Sequence, residues 1–350
     1  MCSLIQGFGL GSNDEGYSMK RRSIVSLSGA AMLGAALSAF AQPQRVMRIG
    51  GFNDYPLSTF PASSQIVAYS KAFYDELRRR GWEEGRNLIV ERRYAMGDPQ
   101  KHYTNAEELV AAKVDLILCG NIVPIAAAYK ATKSIPIVAS SFNLVEYGYA
   151  KSLAQPGGNV TGFEYLVDDP SGKIFEIMHA MLPGLKKIGY SEGRGIPAAQ
   201  SGFGGAQTAA STKGVSVVAL PTMSKLTDID PMLSAAKREG IQALWLGPAT
   251  FFLDGQGAKQ IQDWATENNV LTYSNNWQRG QLVLAYGVDF IYLNRALART
   301  VDQIFRGAKP ADIPIERSMR FELTINQKLA KAIGLTIPLP VLLQATQVIE

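Results

Sequence analysis

The sequence predicts an α/β chain of two lobes, each built on a parallel sheet, with a third portion of chain shared between them. Three observations carry this. Short apolar runs alternate with stretches of helical spacing along most of the chain, the pattern of βαβ units. Two such series of comparable size flank the turn-rich segment PGGNVTG, Pro156 to Gly162. From Gln281 onward a strand-helix-strand remainder follows, and after two complete lobes it has to be divided between them, which implies several chain crossings.

The elements follow in order. Arg45 to Gly51 reads as a first strand, and Ile66, Tyr69, Phe73 and Leu77 then recur at helical spacing up to Gly81, where a glycine can end a helix. Asn87 to Tyr94 is a second strand and Pro99 to Lys113 a helix. Val114 to Cys119 is nearly continuous in apolar residues, as a strand covered on both faces should be. A helix through Ile125 to Lys133 and the strand Ile135 to Ala139 complete the first series. The second has strands at Lys187 to Tyr190, Val215 to Leu220, Ala243 to Leu246 and Val270 to Tyr273, with helices at about 170–182, 198–212, 228–239 and 256–268. The remainder reads as strand (Leu282 to Tyr286), helix (Tyr292 to Gly307), strand (Met319 to Ile325) and a helical tail. The glycines of Pro156 to Gly162 are expected to form the sharp crossover between lobes. Hinges are expected near 160, 285 and 313.

The first 41 residues read as a leader. Lys20, Arg21 and Arg22 precede an apolar run from Ile24 to Phe40 that ends in Ala39-Phe40-Ala41, a basic region, a short apolar region and an A-x-A cleavage signal in the right order. The run is short and rich in Ala, Ser and Gly, which favours a cleaved signal peptide over a membrane anchor. Both the general and the twin-arginine routes fit Arg21-Arg22. Met19 stands where such a signal should start, and either Met1 or Met19 could be the true start. Cleavage after Ala41 leaves 309 residues in the periplasm. The division expected is 1–41 leader, 42–160 with 286–312 as one lobe, and 161–285 with 313–350 as the other.

Composition narrows the function. The chain is 47% hydrophobic and 19% charged, which excludes disorder, and its net charge of +5, or +4 without the leader, is too small and dispersed to imply a nucleic-acid partner. Of two cysteines, Cys2 lies in the leader, so the mature chain keeps Cys119 alone and has no internal disulfide. With only His102 and His179, both in predicted helices, a His-based triad or an imidazole-rich metal site is hard to build. Cys119 ends an apolar strand and reads as a packed thiol. The PGGNVTG loop lacks the Lys and the strand-helix context of a phosphate loop, and Gly50-Gly51 completes no dinucleotide fingerprint, so no cofactor is expected.

In open α/β sheets ligands lie beyond the carboxyl ends of the strands. Those ends supply the candidates: Phe52, Asn53 and Tyr55; Asn121; Ser141, Phe142 and Asn143; Tyr190 and Glu192; Thr250; Asn275 and Asn276; and Asp289 from the third portion. Amides, hydroxyls and aromatics dominate, which suits a small zwitterion or polar heterocycle. Asn121 and Ser141, each just past a strong apolar strand, could hold a carboxylate at a helix start without an arginine. Glu192 or Asp289 could accept from an ammonium group. Phe52, Tyr55, Tyr190 or Trp277 could stack on the ligand.

Two long motifs also resemble a known family. Ser152-Leu153-Ala154-Gln155 followed by PGGNVTG is similar to the SLA-x-PGGNVTG signature of ABC-transporter substrate-binding proteins of the tryptophan/tyrosine-associated group, and GAKPADIPIE with FELTINQKLAKAIGLTIP, between Gly307 and Pro338, is similar to its closing segment. The resemblance covers 46–350 in order. It implies a type I periplasmic binding protein, two Rossmann-like lobes joined by a three-strand hinge, that captures a small polar or amino-acid-like ligand and delivers it to an ABC permease in the inner membrane. That group commonly has Asp-Pro-Val after the IPIV strand and Thr at the preceding strand tip. Here Asn143-Leu144-Val145 and Asn121 stand in those places, and the ligand is left open. Two other functions fit the same fold, a periplasmic hydrolase or lyase using Asp289, Glu192 or Cys119, and a ligand-sensing module for a receptor.

Overall fold

The computed structural model describes residues 45–53, 55–60, 62, 64–141, 143–165, 170–193, 202–247, 255–274, 280–317 and 320–350. The leader, including the cleavage site expected after Ala41, lies outside the described residues.

The first series forms β1 (Met47–Asn53), α1 (Gln65–Arg79), β2 (Leu88–Tyr94), α2 (Lys101–Ala111), β3 (Leu116–Gly120), α3 (Ile122–Ala131), β4 (Ile137–Ser141) and β5 (Val160–Glu164). After β5 come α4 (Ser171–Met181), β6 (Lys187–Ser191), α5 (Phe203–Ser211), β7 (Ser216–Ala219), α6 (Ile229–Glu239), β8 (Ala243–Leu246), α7 (Gln256–Asn268), β9 (Leu271–Ser274) and β10 (Leu284–Val288). The chain ends with α8 (Phe290–Phe305), β11 (Glu316–Arg317), β12 (Phe321–Asn326), α9 (Gln327–Ala332), α10 (Leu339–Leu342) and β13 (Gln347–Ile349).

These strands make two sheets, ordered β11-β5-β4-β3-β1-β2 and β13-β12-β10-β9-β8-β6-β7. All pairings are parallel except that of β10 with β12. Each sheet is covered on both faces. On the first, Ile117, Ile137 and Ala139 pack with Ala106, Leu109, Ile125 and Ala128 of α2 and α3. Its other face packs Ile49, Leu116, Val138 and Phe163 against Phe73 and Leu77 of α1 and Leu293, Leu297 and Val301 of α8. Leu77 is fully buried, and truncating such a side chain to Ala typically costs about 2–5 kcal/mol. The α8 stripe Leu293, Ala296, Leu297, Val301, Ile304 repeats at three and four residues, so the helix lays one apolar face on β1, β3, β4 and β5, strands made more than a hundred residues earlier.

Three expectations need correction. Pro156 to Gly162 is not a bare crossover: the residues from Val160 form β5, paired with β4 from Ile137↔Val160 to Ser141↔Glu164. Gly162 is needed there for another reason than a turn. Its φ is +136°, and a Cβ would fall 2.0 Å from the carbonyl oxygen of Ala139, a backbone atom that cannot move aside. The α8 helix starts at Phe290 because the Asp289 side chain caps it, accepting from Tyr292 N at 2.8 Å. The helical tail contains a strand, β13, added to β12.

The crossings position the site. Six residues separate β5 from α4, one residue separates β10 from α8, and three separate β11 from β12. β5, β10 and β11 each leave a sheet at its carboxyl edge, and antiparallel β12 enters the second sheet at that edge, where Val288 pairs with Phe321. The carboxyl edges of the two sheets therefore meet at the hinge. Within each lobe, strand order 2-1-3-4-5 puts a topological switch point between β1 and β3 in the first sheet, and its counterpart between β6 and β8 in the second.

Candidate ligand-binding site

At the first switch point β3 runs into α3 through Asn121. Its backbone is at φ 74°, ψ 156°, a region populated almost only by glycine. Two bonds hold it there: its N–H donates to the Ser140 carbonyl at 2.9 Å, and its side-chain oxygen accepts from Ile122 N at 2.7 Å. With Ile122 engaged, Pro124 lacking an N–H and Ile125 donating to the Asn121 carbonyl, the first turn of α3 leaves the Val123 N–H for an acceptor outside the helix.

Ser141, the last residue of β4, stands beside this turn. It shares the parity of Ile137 and Ala139, so its side chain lies on the α3 face of the sheet. It is fully buried, and its Oγ has no hydrogen-bond partner among the described residues. A buried hydroxyl without a partner costs about 1–3 kcal/mol. The Ser141 carbonyl accepts from Tyr165 N at 3.0 Å, which ties the first crossing to the same spot. Asn143 follows at φ 55°, half-buried. Next to it the buried Glu164 carboxylate pairs with the Arg317 guanidinium at 2.9 and 3.0 Å, joining β5 to β11.

The second switch point is acidic. Tyr190 is buried among Phe203 and Trp245, and its hydroxyl donates to Glu192 Oε2 at 3.0 Å. Burial pushes the Tyr190 phenol up, and the Glu192 carboxylate pushes it further, so it stays protonated and remains a donor. Gly247, at the end of β8, makes the arrangement possible, since a Cβ there would lie 2.2 Å from the Tyr190 hydroxyl oxygen. Tyr190 thus acts as core and as support for Glu192, and Glu192 is the group left at the edge. Asp289 stands between the edges, where its N–H donates to the Arg320 carbonyl at 3.0 Å and one carboxylate oxygen caps α8.

The remaining candidates divide. Asn53 is exposed at the end of β1 and Tyr55 is half-buried beside Gly97. Phe52 packs in the core, its ring 5.8 Å from that of His102. Phe142, Thr250, Asn275 and Asn276 lie outside the described residues, as does Trp277. Sequence reasoning missed Val123, whose signal was the Asn-x-x-Pro spacing that isolates one N–H. Burial pushes the Cys119 thiol up, and His179 packs edge-on against Phe175 on α4. Among the described residues no cluster of His, Cys, Asp or Glu is placed to hold a metal ion.

Two α/β lobes with parallel sheets, three crossings and facing carboxyl edges define a protein of the type I periplasmic-binding fold. The chain belongs to the ABC transporter substrate binding protein family, whose model matches residues 62–349. A tyrosine-binding protein of Clostridioides difficile (strain R20291) is 36% identical over 134 residues, and the match covers 36% of this chain and 38% of that relative's length. Among solved structures, an ABC domain from Streptococcus pneumonia in complex with L-Trp superposes with a TM-score of 0.72 at 23% identity, covering 87% of this chain and 99% of that one. A ligand-free, open substrate-binding protein with adhesive properties from Clostridium difficile gives 0.62 at 21%, with coverage of 87% and 99%. At these identities the two structures speak for the fold. Among the described residues no helix is long and apolar enough to cross a membrane.

Proposed function

We propose that the protein is the periplasmic solute-binding component of an ABC importer, that it captures a free α-amino acid between its lobes, and that it hands this ligand unchanged to an inner-membrane permease. The carrying observation is the fully buried Ser141 Oγ, without a partner among the described residues, one residue past the strand position bonded to the strained start of α3, where the Val123 N–H is left for an outside acceptor. Together they offer two donors to one carboxylate with no charged side chain needed. Glu192, held by Tyr190 on the facing edge, and Asp289 supply acceptors for an ammonium group. A zwitterion touching both edges stabilises the closed arrangement over the open one, which is how binding becomes a signal the permease can read. The tyrosine and tryptophan ligands of the similar proteins support an amino-acid cargo. The leader, with its cleavage signal after Ala41, supports the location.

The division into lobes belongs to the same reading, with the breaks expected after 160, 285 and 312 moved to after 165, 288 and 317 because β5 and β11 pair in the first sheet and β10 in the second; each lobe then moves as one body. No step of catalysis is assigned. The test is a thermal-shift panel of the common amino acids on the mature protein, with mass spectrometry of what co-purifies. One amino acid should raise the Tm by mass action and be recovered intact. Chemical turnover of that ligand would sink the transport reading.

A further inference from the structure

A row of three side chains crosses the carboxyl edge of the first sheet on its α3 face. The strand register places Ser141 beside Glu164 and Glu164 beside Arg317. Ile137, Val160 and Ile315, which have the same parity on these strands, all lie in the core beneath α2 and α3, so the three side chains share that face. Neighbouring strands are about 4.8 Å apart, which puts Glu164 one spacing from Ser141 and Arg317 two. The Glu164 side chain is 0% exposed and that of Arg317 44%. Glu164 Oε1 accepts from Val145 N at 3.4 Å, and Oε2 accepts from Arg317 Nε at 3.0 Å and from Nη2 at 2.9 Å. Among the described residues Glu164 is the one partner of this guanidinium, so Nη1, on the far side of the fork, keeps its donors for an outside acceptor.

The corner assigned above to a carboxylate therefore has an anion built into its wall. Ser141 Oγ and the Val123 N–H supply hydrogen bonds, but neither cancels the charge of Glu164 one strand away. Two carboxylates that close, with one of them enclosed, repel each other. Arg317 answers this: it neutralises Glu164, and the two bonds between them fix the guanidinium at the same edge. We propose that Arg317 is a further ligand-contacting residue, which screens Glu164 from the carboxylate held at Ser141 and Val123 and donates to that carboxylate through Nη1. Glu164 is the positioning residue that holds the guanidinium. The site then selects a free carboxylate over the neutral carboxamide of the same amino acid. The proposal rests on the amino-acid reading above.

The experiment is calorimetric titration of the mature protein with the twenty common L-amino acids, then with the α-carboxamide of the one bound most tightly. Wild type should prefer that acid to its amide thirtyfold or more. Arg317→Gln should weaken the acid about thirtyfold and the amide less than threefold, while Arg317→Lys should cost the acid less than tenfold. Adding Glu164→Gln to Arg317→Gln should recover about fivefold of the acid's affinity because the repelling charge is gone, a coupling that lost packing does not produce. Each variant is first checked by its thermal transition. If Arg317→Gln does not fold, the double variant decides: its preference for the acid should fall about fivefold below wild type, and an unchanged preference overturns the proposal. Equal weakening of acid and amide, no weakening, or no recovery in the double variant overturns it as well. If Ser141→Ala still weakens the acid in those cases, the capture reading stands without Arg317. Binding of none of the twenty overturns both.

Discussion

The two ends of the first lobe treat a buried polar group in opposite ways. At the end away from the hinge, Asp302 of α8 is almost fully enclosed and saturated: it accepts from Trp82 Nε1 at 2.8 Å, Arg306 Nε at 2.8 Å and an Arg80 guanidinium nitrogen at 3.3 Å. At the hinge end, Ser141 is as deeply buried and its hydroxyl has no partner among the described residues. Along α8, Phe290 at the hinge and Asp302 are roughly 18 Å apart at 1.5 Å per residue. A carboxylate that binds α1 to α8 from inside belongs to stability. A hydroxyl whose only unmet need can be answered from outside belongs to binding.

Substitutions at the two ends should therefore separate the two quantities. Asp302→Ala should have the largest effect, a loss of up to about 3 kcal/mol, chiefly because the buried Trp82 Nε1–H loses its charged acceptor while the partly exposed Arg80 and Arg306 turn to water, with amino-acid affinity unchanged in calorimetry on the folded fraction. Ser141→Ala should behave conversely: a denaturant midpoint equal to wild type within about 0.5 kcal/mol, and ligand affinity down about tenfold, or about 1.4 kcal/mol. A destabilised Ser141→Ala would mean that the hydroxyl is satisfied internally and would remove the contrast. Asn121→Gly relieves backbone strain of about 1–3 kcal/mol at the loss of a few tenths in capping, so it should raise the Tm by a few degrees while weakening ligand capture. At the bottom of the scale, Lys71→Ala removes an exposed i,i+4 contact to Asp75 and should change stability by less than about 0.5 kcal/mol and affinity not at all.

The same contrast explains what could be read from the sequence. Strands such as Val114 to Cys119 and helices such as Ile66 to Leu77 declare themselves because burial on both faces, or on one stripe, leaves a periodic trace. The βα repetition with a shared third portion followed from that trace, and the structure has it. β5 was hidden because NVTG carries two polar residues and a glycine, which as composition spell a turn. What makes the segment a strand is the close approach to Ala139, a distance that no local pattern encodes. The site was half legible for a related reason. Asn121 and Ser141 could be nominated from their places after apolar strands, but a strained φ and an orphaned hydroxyl are properties of three dimensions. Asp289, nominated from its place after a strand, also caps α8, a role that stayed hidden while the helix was read as starting two residues later at Tyr292.

The position of α8 in the chain also governs how the protein is made. The face formed by Ile49, Leu116, Val138 and Phe163 is complete in sequence by residue 163, but Leu293, Leu297 and Val301, which share its core cluster, emerge more than a hundred residues later. The edge strand Glu316–Arg317 arrives later still. The second lobe's first five strands, by contrast, follow one another between Lys187 and Val288. The lobe that begins first thus waits for chain made after most of the other lobe, and until α8 emerges it carries an uncovered greasy surface of the kind chaperones hold; the second lobe's own β12, α9, α10 and β13 come later still.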